Sequence, residues 1–127
     1  MYLSYLIMTD CQSIFVTKHG VPEVLKLKPD TLEEPKAGEV CVKIMYSGIN
    51  FADIMGRMGL YPTAPDPPYV PGFEIAGIIE KGSDDATAEY IGKAVVGLSR
   101  THGYSTHVNV PVEQLFFIDK KWLDVAA

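Results

Sequence analysis

The sequence predicts a mainly β fold with short helices, of the kind found in sandwiches and barrels. Short β-rich runs recur along the 127 residues, and turn residues separate them. One segment departs from this pattern and has the helical period. Many short strands at this spacing are typical of sandwiches and barrels. We therefore expect one domain, which at this length buries roughly two thirds of the surface of its extended chain.

The first strand signals lie before Tyr46. Ser13 to Thr17 is β-rich and ends at a Lys-His-Gly turn, and Val24 to Leu27 ends near Pro29. From Val40 to Tyr46, apolar residues alternate with residues of the opposite face, which is the strand period. The opposite face of that third strand is only partly polar, so we expect it to be covered on both sides.

The period changes between Asn50 and Met58. Four apolar residues then recur at i, i+3, i+4 and i+7, which predicts one short helix. They are Phe51, Ile54, Met55 and Met58. Asn50 stands at the expected N-cap, and the two methionines are expected to pack inward.

Four further strand signals complete the β pattern. Phe73 to Glu80 is a β-branched run, and Gly77 interrupts it where a bulge or a close backbone approach is the usual reason. The remaining signals are Ala94 to Leu98, Tyr104 to Val110, and Leu115 to Ile118. Turn residues separate all four.

Composition excludes several classes of protein. The net charge of -5, without a basic cluster, argues against nucleic-acid binding. Cys11 and Cys41 have neither disulfide nor metal spacing, which favours reduced thiols in a cytosolic protein. The apolar MYLSYLIM start is too short to span a bilayer and lacks a basic n-region. We expect a frayed lead-in over residues 1–12, with a packed extra strand as the alternative.

The run from Tyr46 to Gly82 is the most informative segment, because it sets polar side chains among glycines and prolines. Before a proline-rich loop it contains Gly48, Asn50, Asp53, Gly59 and Tyr61, and after the loop Gly72, Glu74, Gly77 and Gly82. In this order the motifs resemble the medium-chain dehydrogenase/reductase superfamily, in particular its zinc-free quinone oxidoreductase branch. The stretch from Asn50 to Tyr61 is particularly similar to the vesicle amine transport protein group.

The resemblance covers about Ile14 to Ala127 and implies a GroES-like, partly open β-barrel. It implies a substrate domain over residues 13–121, with residues 122–127 starting the helix that leads to a doubly wound cofactor domain. None of the 11 glycines stands in the G-x-G pair of a dinucleotide fingerprint. We therefore expect a substrate domain without its cofactor domain.

Two positions argue against the zinc chemistry of other members of this superfamily. Their G-x-C-x-x-D and G-H-E patterns correspond here to Gly48 to Asp53 and to Gly72 to Glu74. Phe73 has no lone pair to offer, and the amide of Asn50 is a poor zinc ligand. A structural zinc site needs four closely spaced cysteines, and this chain has two. We expect no metal site.

By resemblance, the complete protein transfers a hydride from NADPH to a quinone or an α,β-unsaturated carbonyl. The resemblance implies catalytic roles for Asn50 and Tyr61 and cofactor contacts for Asn50 and Phe51. On general grounds we expect structural support from Asp53, Gly72, Glu74 and Gly77. Plainer interpretations stay open: Asn50 as a helix cap, Tyr61 as a packed turn residue, and Asp53 as a residue that orders local backbone or pairs with Arg57 at i+4.

For the 127 residues alone we expect no catalysis and no tightly bound cofactor. The alternative to the enzyme hypothesis is a non-catalytic interaction module. The predicted location is cytoplasmic, with peripheral association at vesicle or mitochondrial outer membranes as a further alternative. Small quinone or enone substrates are the expected partners of the complete protein, and an exposed domain interface would permit self-association. His19, His102 and His107 have no ligand spacing.

Overall fold

Strands form most of the regular structure, so the mainly β prediction is confirmed. The structure is a computed structural model that describes residues 8–125. Its strands are β1 (Met8–Val16), β2 (Leu25–Glu33), β3 (Glu39–Gly48), β4 (Glu74–Gly82), β5 (Ala94–Leu98), β6 (His107–Pro111) and β7 (Leu115–Ile118). Its helices are α1 (Phe51–Arg57) and α2 (Asp85–Ala88), and 3₁₀ segments lie at Pro22–Val24, Val112–Gln114 and Lys120–Val125.

The strands form two antiparallel sheets that do not close on themselves. β1 and β2 make a two-stranded ribbon, and the other five strands follow the order β6-β3-β4-β5-β7. Polar contacts hold the ribbon against the larger sheet. Lys81 Nζ donates to Thr9 Oγ1 at 2.8 Å, and Asn109 Nδ2 donates to the carbonyl of Glu33 at 2.8 Å. The result is a partly open barrel.

The core lies inside the five-stranded sheet and consists of inward-facing aliphatic side chains. Its buried members are Val40, Val42, Ile75, Ile79, Val95, Val108, Val110 and Leu115. Burying each of these side chains contributes about 1.5–3 kcal/mol, and a one-residue slip of any strand would turn its apolar residues outward. Packing of the core therefore sets the register of the sheet.

The ribbon is longer than the sequence predicts, at the end where Met8 pairs with Glu33. β1 begins at Met8, so residues 8–12, expected in the lead-in, lie in a strand paired with β2. The rest of the expected lead-in, residues 1–7, lies outside the described residues. β2 continues through Pro29, where the second run was expected to end, to Glu33. A two-stranded ribbon leaves one edge of each strand unpaired, and such an edge tolerates a proline.

Helix α1 buries a different face from the one that its periodicity predicts. Its buried residues are Asp53 and Gly56, while Met58 is 45% exposed and Phe51 is 74% exposed. Met55 is half-buried. The prediction that both methionines pack inward is therefore wrong for Met58. Hydrogen bonds of the Asp53 carboxylate hold the polar side of the helix against the domain, which turns the apolar stripe outward.

Gly77 marks a close approach of two backbones, as the sequence predicts. In the β3–β4 ladder Ile44 pairs with Gly77 and Tyr46 pairs with Ala76, so the register shifts at Met45. A Cβ atom on Gly77 would collide with the carbonyl oxygen of Lys43. Only a glycine permits this approach without a shift of β3.

The sequence predicts neither α2 nor the 3₁₀ segments at Pro22–Val24 and Val112–Gln114. β5 and β7 have the predicted bounds. β6 begins at His107 rather than Tyr104, because the N–H of Tyr104 bonds the carbonyl of Pro71 and Ser105 bridges to β1. Trp122 to Val125 lie in a 3₁₀ segment, and the rest of the expected helix start, residues 126–127, lies outside the described residues.

Both cysteines are free thiols, and burial raises the pKa of Cys41 to about 11. Between residues 8 and 125, no helix combines the length and apolar character needed to cross a bilayer.

Candidate functional site

A cavity of about 360 Å³ opens between α1, the proline-rich loop and the β5–β6 connection. Among the predicted site residues, Asp53, Tyr61 and Gly72 line it. Asn50 and Phe51 lie outside the lining, at the start of α1. An apolar wall with a few convergent polar groups is typical of small-molecule sites. This cavity is therefore the candidate site.

Tyr61 lines the cavity from the turn that follows α1. Gly59 allows this turn, because its φ of 77° lies in the left-handed region. The Tyr61 ring packs edge-on against Phe73, with centroids 6.5 Å apart and an interplanar angle of 72°. The side chain is 38% exposed. The side chain thus packs on one side against Phe73 and stays partly exposed at the cavity.

Asn50 occupies the N-cap of α1, as predicted. Asn50 and Asp53 form a capping box, in which Asp53 Oδ2 accepts the N–H of Asn50 at 2.9 Å. The side-chain amide of Asn50 donates to Glu74 Oε2 at 3.3 Å. The cap interpretation is thus supported, and the orientation of the Asn50 amide depends on Glu74.

Glu74 lies directly over Gly48, where β3 meets α1. A Cβ atom on Gly48 would lie 2.7 Å from Glu74 Cδ. Gly48 therefore leaves the space that the Glu74 carboxylate needs in order to reach Asn50. This geometry supports the structural role predicted for Glu74. Gly77 lies away from this site, where the backbones of β3 and β4 approach each other closely.

Asp53 forms a buried hydrogen-bond network beneath the cavity. It is 6% exposed, and its Oδ2 atom accepts the N–H of Asn50 and the hydroxyl of Tyr104 at 3.1 Å. Its Oδ1 atom has no hydrogen-bond partner within residues 8–125. Burial, assisted by the Asp53 carboxylate, raises the pKa of Tyr104 well above its ordinary value. The predicted i+4 pair is not formed, because Arg57 Nε donates to the carbonyl of Gly20 at 3.1 Å.

We expect Tyr104→Phe to lower the free energy of unfolding by about 1–3 kcal/mol at neutral pH. It removes a hydrogen bond to a buried carboxylate, and such bonds have this magnitude. Because folding raises the pKa of Tyr104, its contribution is present below pH ~10 and declines at higher pH, where the unfolded tyrosine ionises first. Denaturant unfolding at increasing pH should therefore show that the free energy of unfolding falls less steeply above pH ~10 in the variant than in the unmodified chain.

Tyr46→Phe is the matched control for that experiment. It removes an exposed tyrosine–aspartate hydrogen bond, from Tyr46 to Asp124 at 2.6 Å. Exposed polar pairs contribute little to stability. If both variants lost the same free energy of unfolding, the buried Tyr104–Asp53 hydrogen bond would stabilise the fold no more than the exposed one.

Gly72 and Gly103 let two backbones cross behind the cavity. Gly72 has a φ of 114°, and a Cβ atom on it would lie 2.6 Å from the Cα of Gly103. The N–H groups of His102 and Gly103 bond the carbonyls of Val70 and Gly72 at 2.9 and 3.1 Å. The β5–β6 connection is thereby held against the cavity, and Arg100 and Thr101 become part of its lining.

Sequence reasoning missed Arg100, Thr101 and Tyr104 as site residues. The available signal was their position in a connection between two strand runs, next to a glycine. Binding residues occur disproportionately in such connections. A single sequence does not show which connections meet, and here that contact depends on Gly72.

Exposed apolar side chains surround the start of α1 and the turn that follows it. They are Ile49, Phe51, Ile54, Met58 and Leu60, and we call them the α1 patch. Phe116, Trp122 and Val125 are exposed in the C-terminal part of the described chain. The described chain thus exposes apolar side chains in two separate segments.

We expect no stoichiometric zinc in the purified protein. Phe73 replaces an imidazole, the Asn50 amide is engaged by Glu74, and residues 8–125 contain no group of three side chains able to hold a metal ion. Elemental analysis after dialysis tests this expectation. One zinc per chain that resists a chelator would contradict it.

Comparison with known proteins agrees with the fold and the motifs. The family model described as the alcohol dehydrogenase GroES-like domain matches residues 36–118. The Danio rerio synaptic vesicle membrane protein VAT-1 homolog is 44% identical over 66 residues, which cover 52% of this chain and 14% of that protein.

Two solved structures show the same likeness in three dimensions. The human synaptic vesicle membrane protein VAT-1 homolog-like protein aligns with a TM-score of 0.82 and 29% identity, covering 88% of this chain and 36% of that one. The Escherichia coli quinone oxidoreductase complexed with NADPH aligns with a TM-score of 0.76 and 32% identity, covering 91% and 37%. The predicted GroES-like, partly open barrel is confirmed. Matches to the first curated relatives span 14% to 29% of their lengths.

Proposed function

Because the chain belongs to the alcohol dehydrogenase GroES-like domain family of the medium-chain dehydrogenase/reductases, we propose that it forms the substrate-facing part of a zinc-independent oxidoreductase. The proposed reaction is NADPH-dependent reduction of a quinone or an α,β-unsaturated carbonyl. The observation that carries this proposal is the position of Tyr61, which packs against Phe73 and lines the cavity between α1 and the proline-rich loop. The likeness to a quinone oxidoreductase complexed with NADPH supports it.

Tyr61 is proposed to act on the substrate oxygen. When bound, NADPH supplies the hydride, and negative charge then develops on the carbonyl oxygen. A fixed hydroxyl donor stabilises that charge without a metal, and it can pass on a proton as the oxygen becomes basic. Phe73 holds the tyrosine ring, so the donor is oriented before the substrate binds.

Asn50 and Phe51 are proposed to form the wall against which the nicotinamide lies. The Phe51 ring is 74% exposed beside Asn50, so an apolar face and an amide are available together. The 127 residues contain no G-x-G turn to hold a pyrophosphate, so the chain fits only part of a nucleotide site. Glu74 orients the Asn50 amide, and Asp53 anchors the helix start that carries both residues.

A non-catalytic interaction module is the second candidate function. The α1 patch favours it, because contiguous exposed apolar surface marks interaction sites. The partner would be a second domain, a second copy of the chain, or a vesicle or mitochondrial outer membrane to which the protein binds peripherally. Sedimentation equilibrium and co-sedimentation with liposomes separate these partners. A monomer that binds neither liposomes nor a separate cofactor domain would contradict this second candidate.

The proposed function is tested by joining the 127 residues to the cofactor domain of the E. coli quinone oxidoreductase. NADPH oxidation is followed with a quinone and with an enone. We expect turnover in the joined protein and none in the 127-residue chain or the cofactor domain alone. A joined protein that folds and binds NADPH but oxidises none with either acceptor would contradict the oxidoreductase proposal.

A further inference from the structure

We propose that Arg100 makes the cavity selective for substrates that carry a carboxylate in addition to the reacting carbonyl. The reacting end of such a substrate rests on the function proposed above, with the carbonyl at Tyr61. The carboxylate end of the substrate is assigned to Arg100, which lines the same cavity from the β5–β6 connection. Arg100 also borders a neighbouring cavity, but Glu39 and Glu113 line that one and disfavour an anion there. The substrate class is therefore an anionic quinone or an enone acid.

Arg100 has no protein partner in the described chain. The ion pairs within residues 8–125 are Lys81–Glu34, His107–Glu80 and Lys121–Asp119, and Arg100 donates no hydrogen bond to those residues. It is also exposed. An arginine presents five N–H donors in a planar fork that matches a carboxylate. These donors are free for a ligand.

The backbone beneath Arg100 is held in place on both sides. Before it, the N–H of Ser99 bonds the carbonyl of Phe73 at 2.6 Å, and Phe73 is the residue that packs against Tyr61. After it, His102 and Gly103 bond the Val70 to Gly72 segment across the glycine crossing. The loop thus presents Arg100 at a defined place relative to Tyr61. Such preorganisation reduces the entropy lost when a ligand binds.

Asp53 is the acidic residue in the cavity lining, so its carboxylate repels an anionic ligand. Its carboxylate is 6% exposed, and Oδ2 is already occupied by Asn50 and Tyr104. It lies on α1, while Arg100 lies on the β5–β6 connection. The uncharged ring of a substrate is therefore placed toward α1 and its carboxylate toward the connection. A positively charged ligand would be attracted by Asp53 and repelled by Arg100. Ligands that differ only in charge therefore test the inference.

The test uses benzoate, benzamide and benzylammonium, three probes of similar size and different charge. They are titrated into the isotope-labelled 127-residue chain, and amide shifts of the cavity residues are followed. We expect benzoate to bind about 10-fold more tightly than benzamide, with benzylammonium weakest, because hydrogen bonds between two charged groups are stronger than those to a neutral amide. Arg100→Gln should abolish the preference, and Arg100→Lys should keep part of it.

Lys36→Gln is the matched control, because it removes the same charge from an exposed position outside the cavity. It should leave the preference unchanged. Equal binding of benzoate and benzamide, a preference for benzylammonium, no binding of any probe, or a benzoate preference that survives Arg100→Gln would each overturn the inference.

Failure of this inference differs from failure of the proposed function, because the probes need neither NADPH nor turnover. A joined protein that reduces quinones without any benzoate preference would overturn the Arg100 role alone. A benzoate preference that depends on Arg100, in a joined protein without turnover, would support the carboxylate site and contradict only the oxidoreductase proposal.

Discussion

Gly77→Ala is expected to lower the free energy of unfolding by about 3 kcal/mol, the upper part of the range for overpacked sites. The added Cβ would collide with the carbonyl oxygen of Lys43 and lie 3.0 Å from both Lys43 C and Val42 Cγ1. Two of these three atoms are backbone atoms of β3. Because β3 is hydrogen-bonded to β4 on one side and β6 on the other, it cannot retreat without breaking a ladder. Urea unfolding measures the loss.

Gly48→Ala is the matched control for Gly77→Ala. Both glycines lie in the same pair of strands, but a Cβ on Gly48 would meet only the carboxylate of Glu74. That side chain is exposed and can turn away. We expect a much smaller loss of stability. Equal unfolding midpoints for Gly77→Ala and the unmodified chain would show that β3 can move, and would refute the explanation of the register shift at Met45.

The strands could be predicted from the sequence because each carries its own signal. Alternation from Val40 to Tyr46 and the runs at Ala94 and Leu115 are local properties, and each lies in a strand of the structure. Met58 could not be predicted, because the helical period identifies an apolar face without showing what covers it. The continuation of β2 through Pro29 depends on pairing with β1, which a single run does not reveal.

The candidate site was predictable where one segment supplies it, and not where distant segments meet. Asp53 and Tyr61 come from the motif around α1 and line the cavity as a local argument would place them. The partner of Asp53 is Tyr104, 51 positions away, and this contact replaces the local pair with Arg57. Arg100 reaches the cavity only because the backbone of Gly103 crosses that of Gly72. Contacts between such distant segments become visible only in the three-dimensional structure.

The second large effect concerns catalysis in the joined protein of this chain and a cofactor domain. We expect Tyr61→Phe to lower kcat by roughly 10- to 1000-fold, the scale typical of a lost donor to developing charge. The ring remains to pack against Phe73, so the stability and the fold should change little. Tyr90→Phe is the matched control, because the Tyr90 ring packs against Phe117, outside the cavity lining. It should keep full activity.

Asn50→Ala separates the two roles of the α1 start and completes this test. Removing the amide should lower kcat and also lower the free energy of unfolding by about 1 kcal/mol, because Asn50 occupies the N-cap. Tyr61→Phe should lower kcat without that loss of stability. Steady-state kinetics and thermal melts on the same preparations distinguish the two effects. If kcat and KM stay unchanged in both variants while the joined protein remains active, Asn50 and Tyr61 are structural residues, and the donor to the substrate oxygen lies elsewhere.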